Sequence, residues 1–579
     1  MDKISKIGVG ICVALLAGWF IYQSKQAPRE EAASETKAPA SAGEESRAVP
    51  LPPSPTPPRP APSPEPVVEE NPAASGPVFG AAASEVKITN GWLEIAFSST
   101  GGVLRRVVIG ENPENGVRGL PGENGDVVLQ DSVAPDKALG WLPFAPCGEM
   151  ESAVRDRDNG DREVSFRGST ADGGLEVVKT YVIHPEKYLL DLEISVKNLG
   201  ATPLALPGGA SMVCGSMGPI DPQDSLGVDV MTPTGIQRQS GVVEPTAARI
   251  AWLALKTKYF TSIVKPREED ASSYRVDGLL KEVAAARAII GCGRGAAASP
   301  YEYLSAVLSF KERTLSPGET LSRSFVLYLG PSDYNLLREA GFGFEDVINL
   351  GMLAPLCKAI IWLLDLIYGF IGSYGWAIIF LTLIVKIVLW PLTHKSFKSM
   401  KEMQKLQPKI QALKEKCKGD SKKLQAETMK LYKEHGVNPM SGCLPMLLQM
   451  PILFALYNAL RNTILLRNAP FWIIPGRWIR DLSGPDRLAT LPQSYPIIGD
   501  QVNILPLLMG LTFYLQQKLT PQAPAANDQA AQQQKMMGTL MPVLFTLMFY
   551  TLPSGLNLYF TLSTVITILQ QGALQKRGA

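Results

Sequence analysis

The feature that most constrains this chain is the apolar stretch from Val347 to Leu392. At about 1.5 Å per helical residue it far exceeds the roughly 30 Å hydrocarbon core of a bilayer, so it must be divided. Lys358 and Asp365 show where. Seven residues apart, they share one helix face, which predicts an amphipathic interfacial helix within 345–373, its apolar body at 349–371. A true span then runs from Tyr374 to Leu392. Further spans are predicted at 443–463 and 503–519. The last apolar stretch, Met536 to Gln571, would measure over ~50 Å as one helix. Pro553-Ser554-Gly555 near its middle makes it a hairpin of two short spans.

Upstream, residues 1–25 read as a retained membrane anchor. Ile4–Tyr22 is nearly all apolar, is bounded by Lys3, Lys6 and Lys25, and precedes no small-x-small cleavage site. Residues 26–77 are rich in Pro, Ala, Glu and Ser and form an extended linker with no core of its own. From 78 to 340 the pattern alternates with period two. Leu190, Leu192, Ile194 and Val196 interleave with Asp191, Glu193, Ser195 and Lys197, and Leu93, Ile95, Phe97 and Phe325, Leu327, Leu329 behave alike. Turn signals at Gly101-Gly102 and His184-Pro185 complete an antiparallel β-sandwich. Its one histidine, His184, has no nucleophile or acid beside it in sequence.

Charge distribution sets the expected topology, because the net charge of +2 has no sign bias. Residues 393–438 carry twelve Lys against five acidic residues, the mark of a cytoplasmic loop. Six alternating spans, five of them forming the core, then put both termini in the cytoplasm and the β domain outside it. The loop from Arg467 to Asp500 runs against this, with four Arg and three Asp on the outer side. Within 393–438, Phe397, Met400, Met403, Leu406, Ile410, Leu413 and Cys417 recur every three or four residues. They predict a basic helical hairpin turning at Lys418-Gly419-Asp420-Ser421 and ending at Gly436. Its charge suits a solvated face or docking on anionic lipid, ribosomal RNA or a targeting factor.

The seven Cys include no CxxC pair and no His at ligand spacing, so neither a zinc site nor a disulfide framework is supported, and a disulfide among Cys147, Cys214 and Cys292 stays open but unspecified. Each predicted core span carries polar residues on one side: Thr382 and Lys386; Gln449; Thr512 and Gln516; Thr539 and Thr546; and Asn557, Thr561, Thr564 and Gln571. Such stripes converge most simply on a shared hydrated cavity in a helical bundle. Two placements are open to Lys386, four residues before Trp390: snorkelling to the cytoplasmic interface, or projecting into the cavity and making it positive.

The run EHGVNPMSGCLPMLLQMPILFALYNAL at 434–460, LQPKIQ at 406–411 and LPSGLNLYFTLSTVITILQQ at 552–571 closely resemble the YidC membrane protein insertases over about residues 345–575. The anchor, linker and β domain resemble the Gram-negative form in order and size. The resemblance implies an inner-membrane insertase and chaperone with a periplasmic β-supersandwich and a membrane core at 374–575. It uses no nucleotide or other cofactor and is not an enzyme. Its hydrophilic groove would open to the cytoplasm and to lipid and be closed toward the periplasm. Implied partners are nascent membrane proteins, the Sec translocon, ribosome or targeting factors at the hairpin, and membrane lipids. Lys386 falls where many relatives have Arg, so charge attraction rather than a bidentate grip is implied here. Thr382, Gln449 and Asn557 would line the groove; Met450, Leu453, Met548, Tyr559, Phe560 and Thr561 would meet the substrate. A secondary transporter or channel is the alternative, opposed by the lack of an internal repeat and of acidic residues inside the spans. An enzyme would need a triad that His394 and His435 do not supply.

Overall fold

The computed structural model describes residues 85 to 576, apart from 112–116, 118–126, 133, 207–209, 221–223, 281–300, 418–420, 438–443, 472–477, 496–498 and 521–527. The expected anchor and linker, the hairpin turn at 418–420, Cys12, Cys292 and Cys443 lie outside the described residues.

Period-two alternation forms strands where one face can be buried. Nine antiparallel strands make one sheet, ordered Gly235–Gln239, Gly227–Thr232, Trp252–Lys256, Phe260–Pro266, Thr320–Pro331, Leu189–Asn198, Leu175–Ile183, Arg162–Ser169 and Glu151–Asp156. Leu190, Leu192, Ile194 and Val196 all point into the core. Two four-stranded sheets, one within Glu85–Asp131 and one built from Met212–Met217, Tyr301–Ser309, Ala271–Leu280 and Val243–Ile250, share that core. Gly101 and Gly102 turn with φ of +74° and +56°, a conformation that favours glycine. Cys147 and Cys214 are both free buried thiols, so they do not pair.

Helix α1, Tyr334–Ala340, closes the β domain, capped by Asp333, whose carboxylate accepts from the Asn335 and Leu336 amides. A single turn, Phe344–Val347, then leads to the helical region. Phe344 packs edge-on against Trp252 and Tyr328, while Lys256 donates to the Val347 carbonyl at 3.2 Å and Arg238 to that of Asp346 at 3.0 Å. Both cations also pair with the buried carboxylate of Asp229.

Helix α2 spans Ala354–Ile371 and ends at Gly372, whose φ of +70° suits a left-handed cap; its amide donates to the Tyr368 carbonyl. Tyr368 stacks on Tyr374 with ring centroids 3.9 Å apart, bracketing the turn into α3, Tyr374–Lys405. The two charges of α2 face the β domain: Lys358 sits over the Tyr334 ring and Asp365 accepts from Asn335. Trp362 and Phe370 project outward. By length and composition alone, Gly351–Ile371 and α3 are the two described helices long and apolar enough to cross a membrane.

Helix α3 continues as one rod past the expected span end at Leu392, with Pro391 inside it, and forms the first part of the helical hairpin expected at 393–438. It breaks at Leu406, because Pro408 near the start of α4, Gln407–Lys416, offers no amide to continue the ladder. Helix α5, Ser421–Glu434, packs back through a small core of Met403, Leu406, Ile410 and Tyr432. Gly436 follows with φ +64°. The remaining helices are α6 (Leu444–Asn462), α7 (Leu505–Leu519), α8 (Asp528–Phe549) and α9 (Ser554–Lys576). Helix α7 has only 15 residues, and the apolar part of α8 is Leu540–Phe549.

The loop between α6 and α7 lies at the same end of the bundle as the β domain. Ile464 belongs to the β-domain core and the Arg467 guanidinium lies 5.2 Å from the Phe260 ring centroid. Two of its three Asp are used internally. Asp481 accepts from the Asn468 and Ser483 amides, and Asp486 accepts from Ile504, Leu505 and the Trp478 indole. The α8–α9 turn is stitched to this loop: Ser554 donates to Gly484 and Asp481 carbonyls, Gly555 to that of Leu482. A side chain at Gly555 would press on Ile378 and the Leu482 carbonyl.

Candidate functional site

The candidate site forms where α3 and α9 pack together, with α6 and α7 also against α9. Thr382, fully buried, donates its hydroxyl to the Ile378 carbonyl at 2.7 Å, a bond within its own helix that disposes of its proton. One turn further on, Lys386 is only 9% exposed. Its ammonium donates to the Thr567 hydroxyl on α9 at 2.8 Å. Among the described residues no carboxylate comes within ion-pair distance of it, so a positive charge is held inside the helix layer by a neutral acceptor. A buried charge of this kind is costly, which makes Lys386 the candidate functional residue of this face.

Along α9 the polar residues follow one face. Thr561 and Thr564 donate to the Asn557 and Phe560 carbonyls, and Gln571 reaches across to Thr520 at the end of α7 at 2.9 Å. Asn557 is fully buried at the α8–α9 turn, donating to the carbonyls of Phe549 at 3.2 Å and Leu552 at 3.4 Å. Among the described residues the side-chain oxygens of Asn557 and Gln571 have no hydrogen-bond partner. Tyr559 is buried, and the Gln449 amide of α6 approaches its hydroxyl at 3.5 Å. Thr512 and Thr546 bond their own helices, and Thr546 packs onto Gly510, where α7 and α8 meet closely. The side chain of Thr539 lies outside the description.

Of the expected substrate-facing apolar residues, Met450 and Leu453 are half-buried on α6 and Met548 is exposed on α8. Phe560 packs edge-on against Phe549 and Tyr559. The structure thus gathers Thr382, Lys386, Gln449, Tyr559 and the α9 row, while Met548 stands apart on the outer surface. Sequence reasoning missed Thr567, which is buried together with Ser563 and Gln570. The signal was present: Thr567 falls three residues after Thr564 and four before Gln571, in step with the row already recognised.

Two family descriptions match the chain: "60Kd inner membrane protein" over residues 366–579 and "YidC periplasmic domain" over 148–363. The membrane protein insertase YidC of Pelobacter propionicus is 34% identical over 524 residues, covering 87% of this chain and 89% of that protein. The chain belongs to the YidC family of membrane protein insertases. The YidC insertases of Geobacter sp. strain M21 and Geobacter sulfurreducens match at 32% and 34% identity, over 86% and 82% of this chain and 86% and 83% of theirs. A crystal structure of active YidC insertase with its first transmembrane domain resolved covers 85% of this chain and 93% of its own at 19% identity, with a TM-score of 0.35. That score is too low to carry an argument. As a YidC-family protein the chain is an inner-membrane insertase with a periplasmic β domain, and its work is insertion rather than covalent catalysis.

Proposed function

We propose that the polar face shared by α3 and α9 is a substrate groove, with Lys386 as its positive charge. The observation that carries this reading is the buried Lys386 ammonium, bonded to Thr567 and with no carboxylate in ion-pair distance among the described residues. A charge left unneutralised in a low-dielectric setting attracts acidic or polar segments of an incoming chain far more strongly than it would in water. The groove then shortens the path over which those polar groups cross hydrocarbon. The apolar segment of the substrate moves along Met450, Leu453, Met548 and Phe560 into lipid, driven by hydrophobic transfer at about 25 cal/mol per Å². Thr382, Gln449, Asn557, Tyr559 and Thr561 line or support the polar side.

On this reading the chain crosses the inner membrane six times, with an anchor at 1–25, a linker at 26–77, the periplasmic domain at 78–340, the interfacial helix at 345–373 and the core at 374–575. Both termini and the hairpin at 393–438 are cytoplasmic. The twelve Lys of that hairpin support contacts with ribosome, targeting factor or anionic lipid, and larger substrates are handed over in company with the Sec translocon.

The test is complementation of insertase-depleted cells with the wild-type chain, Lys386→Ala, Lys386→Arg and Lys386→Glu, scoring a single-span client by protease protection. Ala and Glu fail and Arg works if the groove charge acts as described. Normal insertion by all three variants, at normal abundance, removes Lys386 from the mechanism.

A further inference from the structure

We propose that Thr567 is the positioning residue that keeps the Lys386 ammonium inside the groove while leaving its charge unspent. The inference rests on the groove reading above and extends it to a residue with no direct part in meeting the substrate. A threonine hydroxyl has one proton and two lone pairs. The Thr567 proton is committed to the Ser563 carbonyl one turn back, at 2.8 Å, so its oxygen faces Lys386 as an acceptor only. An ammonium brings donors only, so the pair has a single sense and needs no rearrangement.

Two features make this partner matter. Lysine carries four methylenes, enough to reach the interface marked by Trp390 one turn away, and an unanchored Lys386 would do so. Thr567, on a different helix, holds it back. A carboxylate in the same place would anchor the ammonium more firmly but would also cancel its charge and compete with an acidic substrate. A neutral hydroxyl anchors without neutralising. Among the described residues Thr382, Thr561 and Thr564 also direct their protons to their own backbones, yet the Lys386 ammonium bonds to Thr567.

The test uses the full-length chain and two single-span clients, one with two Asp in its translocated tail and one with Asn in their place. Thr567→Val keeps the shape and removes the acceptor; Thr567→Ser keeps both acceptor and proton. The expected result is a roughly tenfold loss of Asp-tail insertion in Thr567→Val, the order of one lost hydrogen bond to a charged group. The Asn-tail client and the Thr567→Ser variant stay near wild type. In a Lys386→Ala background Thr567→Val adds no further loss. Wild-type insertion of the Asp-tail client by Thr567→Val overturns the assignment, as does an equal loss for both clients, which marks a packing role. If Lys386→Ala itself inserts the Asp-tail client normally, the groove charge fails along with it; if Lys386→Ala is defective and Thr567→Val is not, Thr567 alone is wrong.

Discussion

Asp486 joins the loop between α6 and α7 to the start of α7, and replacing it should loosen that whole end of the bundle. One of its carboxylate oxygens accepts from the Ile504 amide at 2.8 Å, the Leu505 amide at 3.1 Å and the Trp478 indole at 3.2 Å. The residue is 2% exposed, so water does not readily replace it. Asp486→Ala removes a helix cap, usually worth about 1 kcal/mol. It also strands buried donors at roughly 1–3 kcal/mol each, partly relieved by relaxation. A local loss of about 3 kcal/mol follows, which is over a hundredfold in the opening equilibrium. Asp486→Asn keeps an acceptor oxygen and should lose only about 1 kcal/mol, since the second carboxylate oxygen has no partner to forfeit. The assay is amide hydrogen exchange at Ile504 and Leu505 in the solubilised protein. Exchange in Asp486→Ala at the wild-type rate would refute the reasoning, because it would mean that the cap contributes nothing.

A pH effect is expected in the β domain. The hydrogen bond that His184 donates to Asp191, with Asp161 on the other ring nitrogen, holds His184 above its ordinary value of about 6.5. Protonated His184 therefore adds stability that is complete below pH ~6.5 and is lost as pH rises through the raised folded value. The denaturation midpoint of the β-domain signal in the full chain should fall over that window, and His184→Gln should flatten the slope; an unchanged slope contradicts it. Gly510→Leu should push α7 from α8, since any side chain there collides with Thr546, lowering the thermal midpoint of the solubilised protein while Gly572→Leu, in open space, does not.

Much of the architecture was readable because it follows from local patterns. Period two located the strands at Leu93–Ser98, Leu189–Asn198 and Thr320–Pro331, and Pro553-Ser554-Gly555 marked the α8–α9 turn. The shared face of Lys358 and Asp365 was legible too, although its partners, Tyr334 and Asn335, were not. What escaped depended on contacts far apart in sequence. Neither the Arg467 contact with the Phe260 ring nor the bond from Lys386 to Thr567, 181 residues away, could be read from local pattern. The hairpin's first arm was expected to begin beyond the span; α3 instead runs through, because no residue between Leu392 and Lys405 interrupts its ladder.

Continuity gives α3 a mechanical property. Pro391 lacks the amide that would bond the Ile387 carbonyl and crowds that carbonyl, so the rod has one weak point, just over a turn beyond Lys386. The fourteen residues from there to Lys405 make an arm of about 21 Å. A bend of ten degrees at Pro391 swings its tip by about 4 Å while leaving the Lys386 half, pinned to α9, where it was. A force on the helical hairpin that α3 enters would thus be taken up at this joint before it reached the Lys386–Thr567 contact.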